Sequence, residues 1–239
     1  MDFDNFYIKN TKQHGMIQMI IGPMFSGKTT ELFRLANMHI LAKKKVIIVK
    51  YERDTRYDSK FASTHDEKTM EAISAIHLKD IFDNIKEHDV IGIDEGQFFD
   101  DIVWGAEKLA SMGKLVIVAA LDGDFQRRPF ESIVNLYPLA EKIKKINAVC
   151  RSCGFFASFT FRTTDSSDLE IIGGEDMYKA VCRECFYKFK NNQFQNQMID
   201  NINRDIDKIS LSNISDTITK YETENYNSKN ISLSVRKTA

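Results

Sequence analysis

Near the N-terminus, a short run combines glycine, lysine and threonine at a spacing that suits chemistry with phosphate groups. Gly22 and Gly27 are separated by four residues, and Lys28 and Thr29 follow directly. The glycines let backbone N–H groups turn toward phosphate oxygens, Lys28 supplies positive charge, and the Thr29 hydroxyl is a ligand type that Mg²⁺ accepts. A glycine-rich turn with a surface lysine is the alternative. The apolar run before the motif and the helical pattern after it favour a phosphate-binding loop, comprising Gly22, Pro23, Met24, Phe25, Ser26, Gly27, Lys28 and Thr29.

Two adjacent acids, Asp94 and Glu95, end a second apolar run. Beside a phosphate loop, such an aspartate orients Mg²⁺. Neighbours at a strand end point to opposite sides, so Glu95 can face something other than the metal and act as a general base toward a hydroxyl or a water. The alternative is two acids that merely end a strand at the surface. These residues indicate a Mg-ATP enzyme, and they do not separate a kinase from an ATPase.

All four cysteines lie in two Cys-x-x-Cys pairs, Cys150 with Cys153 and Cys182 with Cys185. Two such turns complete a tetrahedron of thiolates, which predicts structural zinc rather than free or disulfide-bonded thiols. The metal would hold together the ends of the segment Gly154–Val181, which could close over a small ligand. A nucleic-acid grip is less favoured, because this segment has two Lys/Arg against five Asp/Glu.

The elements that must position these residues alternate between strand and helix. This alternation predicts an α/β fold, a doubly wound parallel sheet flanked by helices, in which ligands bind at the carboxyl ends of the strands. The segments Gly22–Thr29, Asp94–Gln97 and Asp122–Phe125 each follow a strand, so they should converge on one rim. The predicted strands are Met16–Ile21, Lys45–Tyr51, Asp89–Glu95 and Lys114–Leu121, the predicted helices are Thr29–Lys43 and Asp101–Met112, and Ile133–Val149 is a helix–strand piece.

Length, charge and composition restrict the class of protein and its domain organisation. The 239 residues carry a formal net charge of −1, so no basic field marks a nucleic-acid binder. No secretory signal and no long apolar run is evident, and we expect a cytoplasmic protein without a membrane partner. We predict a tail (1–13), a nucleotide-binding domain (14–148), a zinc-binding domain with a substrate loop (149–190) and an Asn/Ser-rich extension (191–239) that is either disordered or a packed helix.

Six ordered motifs together resemble the zinc-containing thymidine kinases of the cellular and poxviral type. They are GPMFSGKTTEL, DTRY, THD, GIDEGQFF, AALDGDFQRRPF and IGGEDMY, and the likeness runs from about Met16 to Lys188. The resemblance implies transfer of the ATP γ-phosphoryl group to the 5′-hydroxyl of thymidine in nucleotide salvage. It also implies Mg²⁺, a homotetramer or dimer, and feedback inhibition by dTTP.

The resemblance also implies roles for individual residues. Glu95 would be the base that faces the 5′-hydroxyl, Lys28 would act on the phosphates, and Arg56 would stabilise the transferring charge. Magnesium would lie at Thr29 and Asp94. Besides the phosphate loop, the residues near ATP would be Asp54, Thr55, Arg56, Asp94, Glu95, Gly96 and Gln97. A thymine pocket would have walls from Met24, Phe98, Leu121, Phe125 and Tyr178, and a lasso-like loop, Leu169, Glu170, Ile171, Ile172 and Gly173, would bind the base through its main chain.

Two other classes of protein share some of these features. A P-loop ATPase acting on nucleic acid would use the same phosphate loop, but the near-neutral charge argues against it. A non-catalytic zinc-bearing interaction module would not need the complete set of Lys28, Thr29, Asp94 and Glu95. A nucleoside kinase is therefore the favoured hypothesis.

Overall fold

A parallel sheet organises the computed structural model, which describes residues 14–53, 62–63, 69–70, 72–163 and 177–204. Within these ranges the strands are short and bounded by loops. In chain order they are β1 (Met16–Gly22), β2 (Val46–Tyr51), β3 (Ala62–Ser63), β4 (Thr69–Met70), β5 (Ala72–Ala75), β6 (Val90–Ile93), β7 (Leu115–Leu121), β8 (Lys142–Lys145), β9 (Ala148–Val149), β10 (Phe156–Ala157), β11 (Phe159–Arg162) and β12 (Tyr178–Val181).

Six of the described strands form the main sheet in the order β5-β2-β6-β7-β1-β8, and every pairing in it is parallel. Three antiparallel pairs lie outside it: β3 with β4, β9 with β10, and β11 with β12. The central strands are buried along their length, as is typical of a parallel sheet covered on both faces. The prediction of a parallel α/β sheet is therefore confirmed.

Helices cover both faces of this sheet. They are α1 (Lys28–Leu41), α2 (Leu78–Ile85), α3 (Ile102–Ser111) and α4 (Glu131–Leu136). Leu32, Leu35 and Ala36 of α1 pack on one face, while α2, α3 and α4 pack on the other. Ile40 has the helical spacing of the same face, but it is 41% exposed. The buried residues of α1 all lie between positions 28 and 36, so its last turns project beyond the sheet contact.

The chain divides into two compact units, Met1–Phe186 and Tyr187–Ala239. Both the phosphate-loop sheet and the four cysteines belong to the first unit. Residues 183–204 are helical. The predicted tail 1–13 and the part of the predicted extension after residue 204 lie outside the described residues, and the proposed boundaries at 148 and 190 stay predictions. Nowhere in the described ranges is a helix long and apolar enough to span a bilayer.

Glu31 ties α1 to the edge strand β8. Its carboxylate accepts hydrogen bonds from Arg34 at 2.7 and 3.0 Å and from Lys144 at 2.8 Å. The hydrogen bond from Arg34 and that from Lys144 outweigh partial burial and lower the pKa of Glu31 to about 2. A depressed folded-state pKa stabilises the fold above the ordinary carboxyl pKa of 4.5, and this contribution is lost as the pH falls toward 2.

We therefore expect Glu31→Gln to lower the free energy of unfolding at pH 7 by about 1 kcal/mol, discounted for solvent screening. The difference from wild type should shrink as the pH falls from 4.5 toward 2. Urea unfolding at pH 7, 4 and 3 measures both effects. Glu107→Gln, at an exposed position on α3, is the matched control. A destabilisation by Glu31→Gln that is the same at pH 7 and pH 3 would contradict this assignment.

Candidate active site

The predicted site segments lie at the carboxyl ends of neighbouring strands. The phosphate loop follows β1, Asp94–Gln97 follow β6, and Asp122–Phe125 follow β7. In the sheet, β7 lies between β6 and β1. Because the three strands are parallel and adjacent, their carboxyl ends form one edge. The predicted convergence on one rim is confirmed.

The shape of the phosphate loop is restricted by close packing at Gly22 and by hydrogen bonds within the loop. A Cβ on Gly22 would lie 2.2 Å from the Ile146 carbonyl oxygen, so only glycine fits there. Gly27 is the N-cap of α1 and has a φ of 82°, in the left-handed region. The Pro23 carbonyl accepts hydrogen bonds from Ser26 Oγ and Lys28 Nζ, both at 2.8 Å. The lysine ammonium is therefore held directly at the loop whose backbone would surround phosphate.

Thr29 and Asp94, the predicted magnesium residues, are in direct contact. Thr29 Oγ1 donates to the Asp94 carboxylate, at 3.1 Å from Oδ1 and 3.0 Å from Oδ2. Burial, then the charge of Glu95, raises the pKa of Asp94 to about 7, although the bond from Thr29 and the charge of Lys28 oppose the rise. A cation here would lower this pKa, because it stabilises the ionised form. A hydroxyl and a carboxylate are hard oxygen donors, so the pair fits Mg²⁺.

Glu95 occupies an uncommon backbone conformation at the turn after β6. Its φ of 53° and ψ of 43° are left-handed, and it caps the 3₁₀ helix Gly96–Phe98. The side chain is half-buried, and its Oε2 accepts a hydrogen bond from Gln97 Nε2 at 2.6 Å. Non-glycine residues in this conformation are often found at functional sites. Glu95 thus lies at the rim, next to the Asp94 carboxylate that contacts Thr29.

Arg162 joins two residues that were predicted to line the base pocket. Its guanidinium carbon lies 3.7 Å from the ring centroid of Phe125 and 5.3 Å from that of Tyr178. Its Nη2 also donates to the Tyr178 hydroxyl at 2.8 Å. A guanidinium on an aromatic face is favourable, more so when buried. The structure therefore brings Phe125, from the loop after β7, together with Tyr178 of β12.

The other predicted pocket residues occupy the same rim. Met24 is in the phosphate loop, and its backbone N–H donates to Thr160 Oγ1 at 3.0 Å. Phe98 is half-buried, with its ring centroid 5.2 Å from that of Tyr51. Leu121 ends β7. The remaining predictions, Asp54, Thr55, Arg56, Leu169, Glu170, Ile171, Ile172 and Gly173, lie outside the described residues.

Sequence reasoning did not single out Thr160, Arg162 or Arg127. Thr160 and Arg162 are two residues apart on β11 and are buried, so they share one face of the strand. A threonine and an arginine alternating with phenylalanines was the available signal. For Arg127 the sequence offered no such signal. In the structure, its guanidinium carbon lies 4.3 Å from the ring centroid of Phe186. Together, Arg162 and Arg127 join the loop after β7 to the cysteine-bearing module.

The four cysteines form one cluster, with all their sulfurs within 4.8 Å of one another. Cys153 Sγ and Cys182 Sγ are 3.7 Å apart, close to the separation of about 3.8 Å that tetrahedral zinc–sulfur bonds of 2.3 Å require. Burial disfavours the Cys150 thiolate, but backbone N–H groups of Cys182, Ser152 and Cys153 prevail and lower the pKa of Cys150 to about 6. This geometry and donor set fit a structural zinc ion with no open coordination position.

Comparison with known proteins gives a consistent set of relatives. A family model described as thymidine kinase matches residues 15–186. The chain is 48% identical to cytosolic thymidine kinase of Gallus gallus, over 84% of this chain and 89% of that protein. It is 52% identical to thymidine kinase of vaccinia virus strain Western Reserve, over 72% and 97%. It is 51% identical to cytosolic thymidine kinase of Homo sapiens, over 77% and 78%.

One solved structure with a weaker likeness is that of the flagellar accessory protein FlaH from Methanocaldococcus jannaschii. The TM-score is 0.44 and the identity 17%, over 70% of this chain and 80% of that one. This likeness is too weak to bear on function.

Proposed function

The chain belongs to the thymidine kinase family, and from this membership we propose that it transfers the γ-phosphoryl group of ATP to the 5′-hydroxyl of thymidine. The observation that best supports this proposal is the arrangement of side chains at one rim of the sheet. A phosphate loop, a Thr29–Asp94 pair and the Glu95 carboxylate meet there at the ends of adjacent strands. Phosphoryl transfer depends mainly on positioning and electrostatics, which this arrangement supplies.

The phosphate loop would hold the triphosphate. Backbone N–H groups between Gly22 and Thr29 and the positive end of α1 would face the phosphate oxygens. Lys28 would move its ammonium from the Pro23 carbonyl to the outer phosphates, since a phosphate oxygen is a stronger acceptor. Thr29 and Asp94 would hold Mg²⁺, which supplies positive charge beside the transferring group. Arg56, with Asp54 and Thr55, would lie near the same phosphate.

Glu95 would be the general base. It would accept the proton of the thymidine 5′-hydroxyl while that oxygen bonds to the γ-phosphorus and the bond from the γ-phosphorus to the oxygen of ADP breaks. The products are dTMP and ADP, with the proton left on Glu95. Because Asp94 contacts Thr29 and Glu95 is the next residue, the base would lie beside the residues that would hold Mg²⁺.

The pocket for the thymine base would be built around Arg162 and the aromatic rings that it contacts. Phe125 and Tyr178 are held by Arg162, and Phe98, Leu121 and Met24 lie at the same rim. Leu169–Gly173 would hydrogen-bond the base through main-chain groups. Such groups match one pattern of donors and acceptors, and a wrong base leaves them unpaired. Zinc at the four cysteines would maintain the module that carries Arg162 and Tyr178.

Several properties are proposed on the resemblance alone. They are a homotetramer or dimer, feedback inhibition by dTTP, a cytoplasmic location, and partners limited to small molecules rather than nucleic acid or membrane. Feedback inhibition has a simple physical basis, because dTTP carries both a thymine ring and a triphosphate and could occupy both parts of the site.

Product analysis tests the proposed function. The purified protein is incubated with Mg-ATP and thymidine, deoxycytidine, deoxyadenosine or deoxyguanosine, and the monophosphates are separated by chromatography. We expect dTMP to form in large excess over the other monophosphates, and no product when EDTA replaces Mg²⁺. ATP hydrolysis that needs single-stranded DNA and yields no monophosphate would instead indicate an ATPase acting on nucleic acid.

A further inference from the structure

We propose that Gln97 is a positioning residue, which fixes the Glu95 carboxylate in the orientation that proton transfer requires. This proposal rests on the proposed role of Glu95 as the base. Gln97 is buried, and its side-chain amide lies between two structural elements of the rim. One is the turn after β6, which carries Glu95, and the other is the end of β7.

Two hydrogen bonds determine which way the Gln97 amide points. The backbone N–H of Leu121 donates to Gln97 Oε1 at 2.9 Å. Because a backbone N–H can only donate, the atom facing Leu121 must be the amide oxygen, and the NH₂ group must face Glu95. The Nε2 donates to Glu95 Oε2 at 2.6 Å. A hydrogen bond from an amide N–H to a carboxylate is among the stronger hydrogen bonds in proteins.

The backbone between Glu95 and Gln97 leaves little freedom for their side-chain hydrogen bond to change its geometry. Glu95 is in the left-handed region, with φ at 53°. A Cβ on Gly96 would lie 2.6 Å from Val118 Cγ1, so this turn packs closely on β7. The carboxylate is therefore restrained through its backbone and through Oε2. Leu121 also ends the strand that leads to Phe125. Gln97 therefore links the position of the Glu95 carboxylate to that of the predicted nucleoside pocket.

This arrangement gives Gln97 a different role from contacting ATP. Both polar atoms of its side chain already have protein partners. Loss of the amide should thus impair turnover rather than ATP binding. We expect Gln97→Met to lower kcat about 10- to 100-fold, the size of effect that misplacing a reacting group produces, with KM for ATP changed by less than about twofold.

A double-mutant cycle tests whether Gln97 acts through Glu95. Gln97→Met is made in the wild-type protein and in Glu95→Ala, and kcat is measured for all four proteins with a radiolabelled-thymidine assay. If Gln97 positions the base, adding Gln97→Met to Glu95→Ala should lower kcat by less than about twofold, because the group it positions is absent. The same loss in both backgrounds would show a role independent of the base and overturn the proposal.

Two further variants separate positioning from folding. Gln97→Glu keeps an acceptor for the Leu121 N–H but replaces the amide donor toward Glu95 by a second carboxyl group, so kcat should fall at least as far as in Gln97→Met. Gln18→Met replaces another buried glutamine, in β1, and should leave kcat within about twofold of wild type. Near-native kcat in Gln97→Glu and Gln97→Met would overturn the proposal. Near-native turnover of Glu95→Ala alone would instead overturn the base assignment on which it rests.

Discussion

Glu95→Gln should lower kcat for thymidine phosphorylation by about 100- to 10,000-fold, the usual contribution of a general base. The substitution preserves the size of the side chain, and its amide oxygen can still accept the hydrogen bond that Gln97 Nε2 now gives to Oε2. What is lost is the capacity to take up a proton from the 5′-hydroxyl. ATP binding should persist, because the phosphate loop and the Thr29–Asp94 contact involve other side chains.

Initial rates at saturating thymidine, with calorimetric titration of Mg-ATP, separate the two effects. We expect the dissociation constant for ATP to stay within about threefold of wild type while kcat collapses. Glu107→Gln, at an exposed position on α3, is the matched control and should behave as wild type. If Glu95→Gln retained more than about a tenth of native turnover, another group would have to accept the proton.

Cys182→Ser should abolish zinc binding and with it most thymidine kinase activity. The cluster needs four sulfurs, and Cys182 is buried with its Sγ 3.7 Å from that of Cys153. In its described residues, the module around the cluster contains two short antiparallel pairs, β9 with β10 and β11 with β12. Isolated two-stranded pairs are marginal in water, so the metal should supply most of their stability.

Loss of the zinc ion should disturb the predicted thymine pocket through contacts of β11 and β12. Tyr178 lies on β12, four residues before Cys182, and Arg162 lies on the strand paired with it. Disorder there would release Phe125 and remove the Thr160 contact with the phosphate loop. We expect kcat/KM for thymidine to fall by roughly 100-fold or more and the melting temperature to fall by on the order of 10 °C.

Metal analysis, thermal unfolding and kinetics on one preparation test this expectation. Wild type should contain about one zinc ion per chain and Cys182→Ser almost none. Ser158→Ala, which removes only the exposed bond to Asn147 in the same module, should keep the metal and the activity. A zinc-free Cys182→Ser protein with native stability and activity would show that the cluster has no structural role in the site.

Short-range spacing in the chain was enough to define the chemistry available to this protein. The phosphate loop, the Asp94–Glu95 pair and the two cysteine pairs are each defined by a few residues close together in the chain, where spacing alone restricts the geometry. The alternation of buried strands and helices likewise determined a parallel sheet, because such strands need helical connections and coverage on both faces. Hence the convergence of the loops after β1, β6 and β7 follows from the strand–helix pattern of the sequence.

The way in which these pieces are joined became visible only in the folded chain. The Thr160 hydroxyl accepts from the Met24 N–H across 136 residues of chain, and Gln97 accepts from Leu121 across 24. Arg162 likewise meets Phe125 only because the cysteine module packs against the loop after β7. The positions of Thr160, Arg162 and Gln97 in the sequence do not specify these partners. Contacts between distant segments depend on strand order and on packing throughout the fold. Neither can be read from the spacing of residues that are close in the chain.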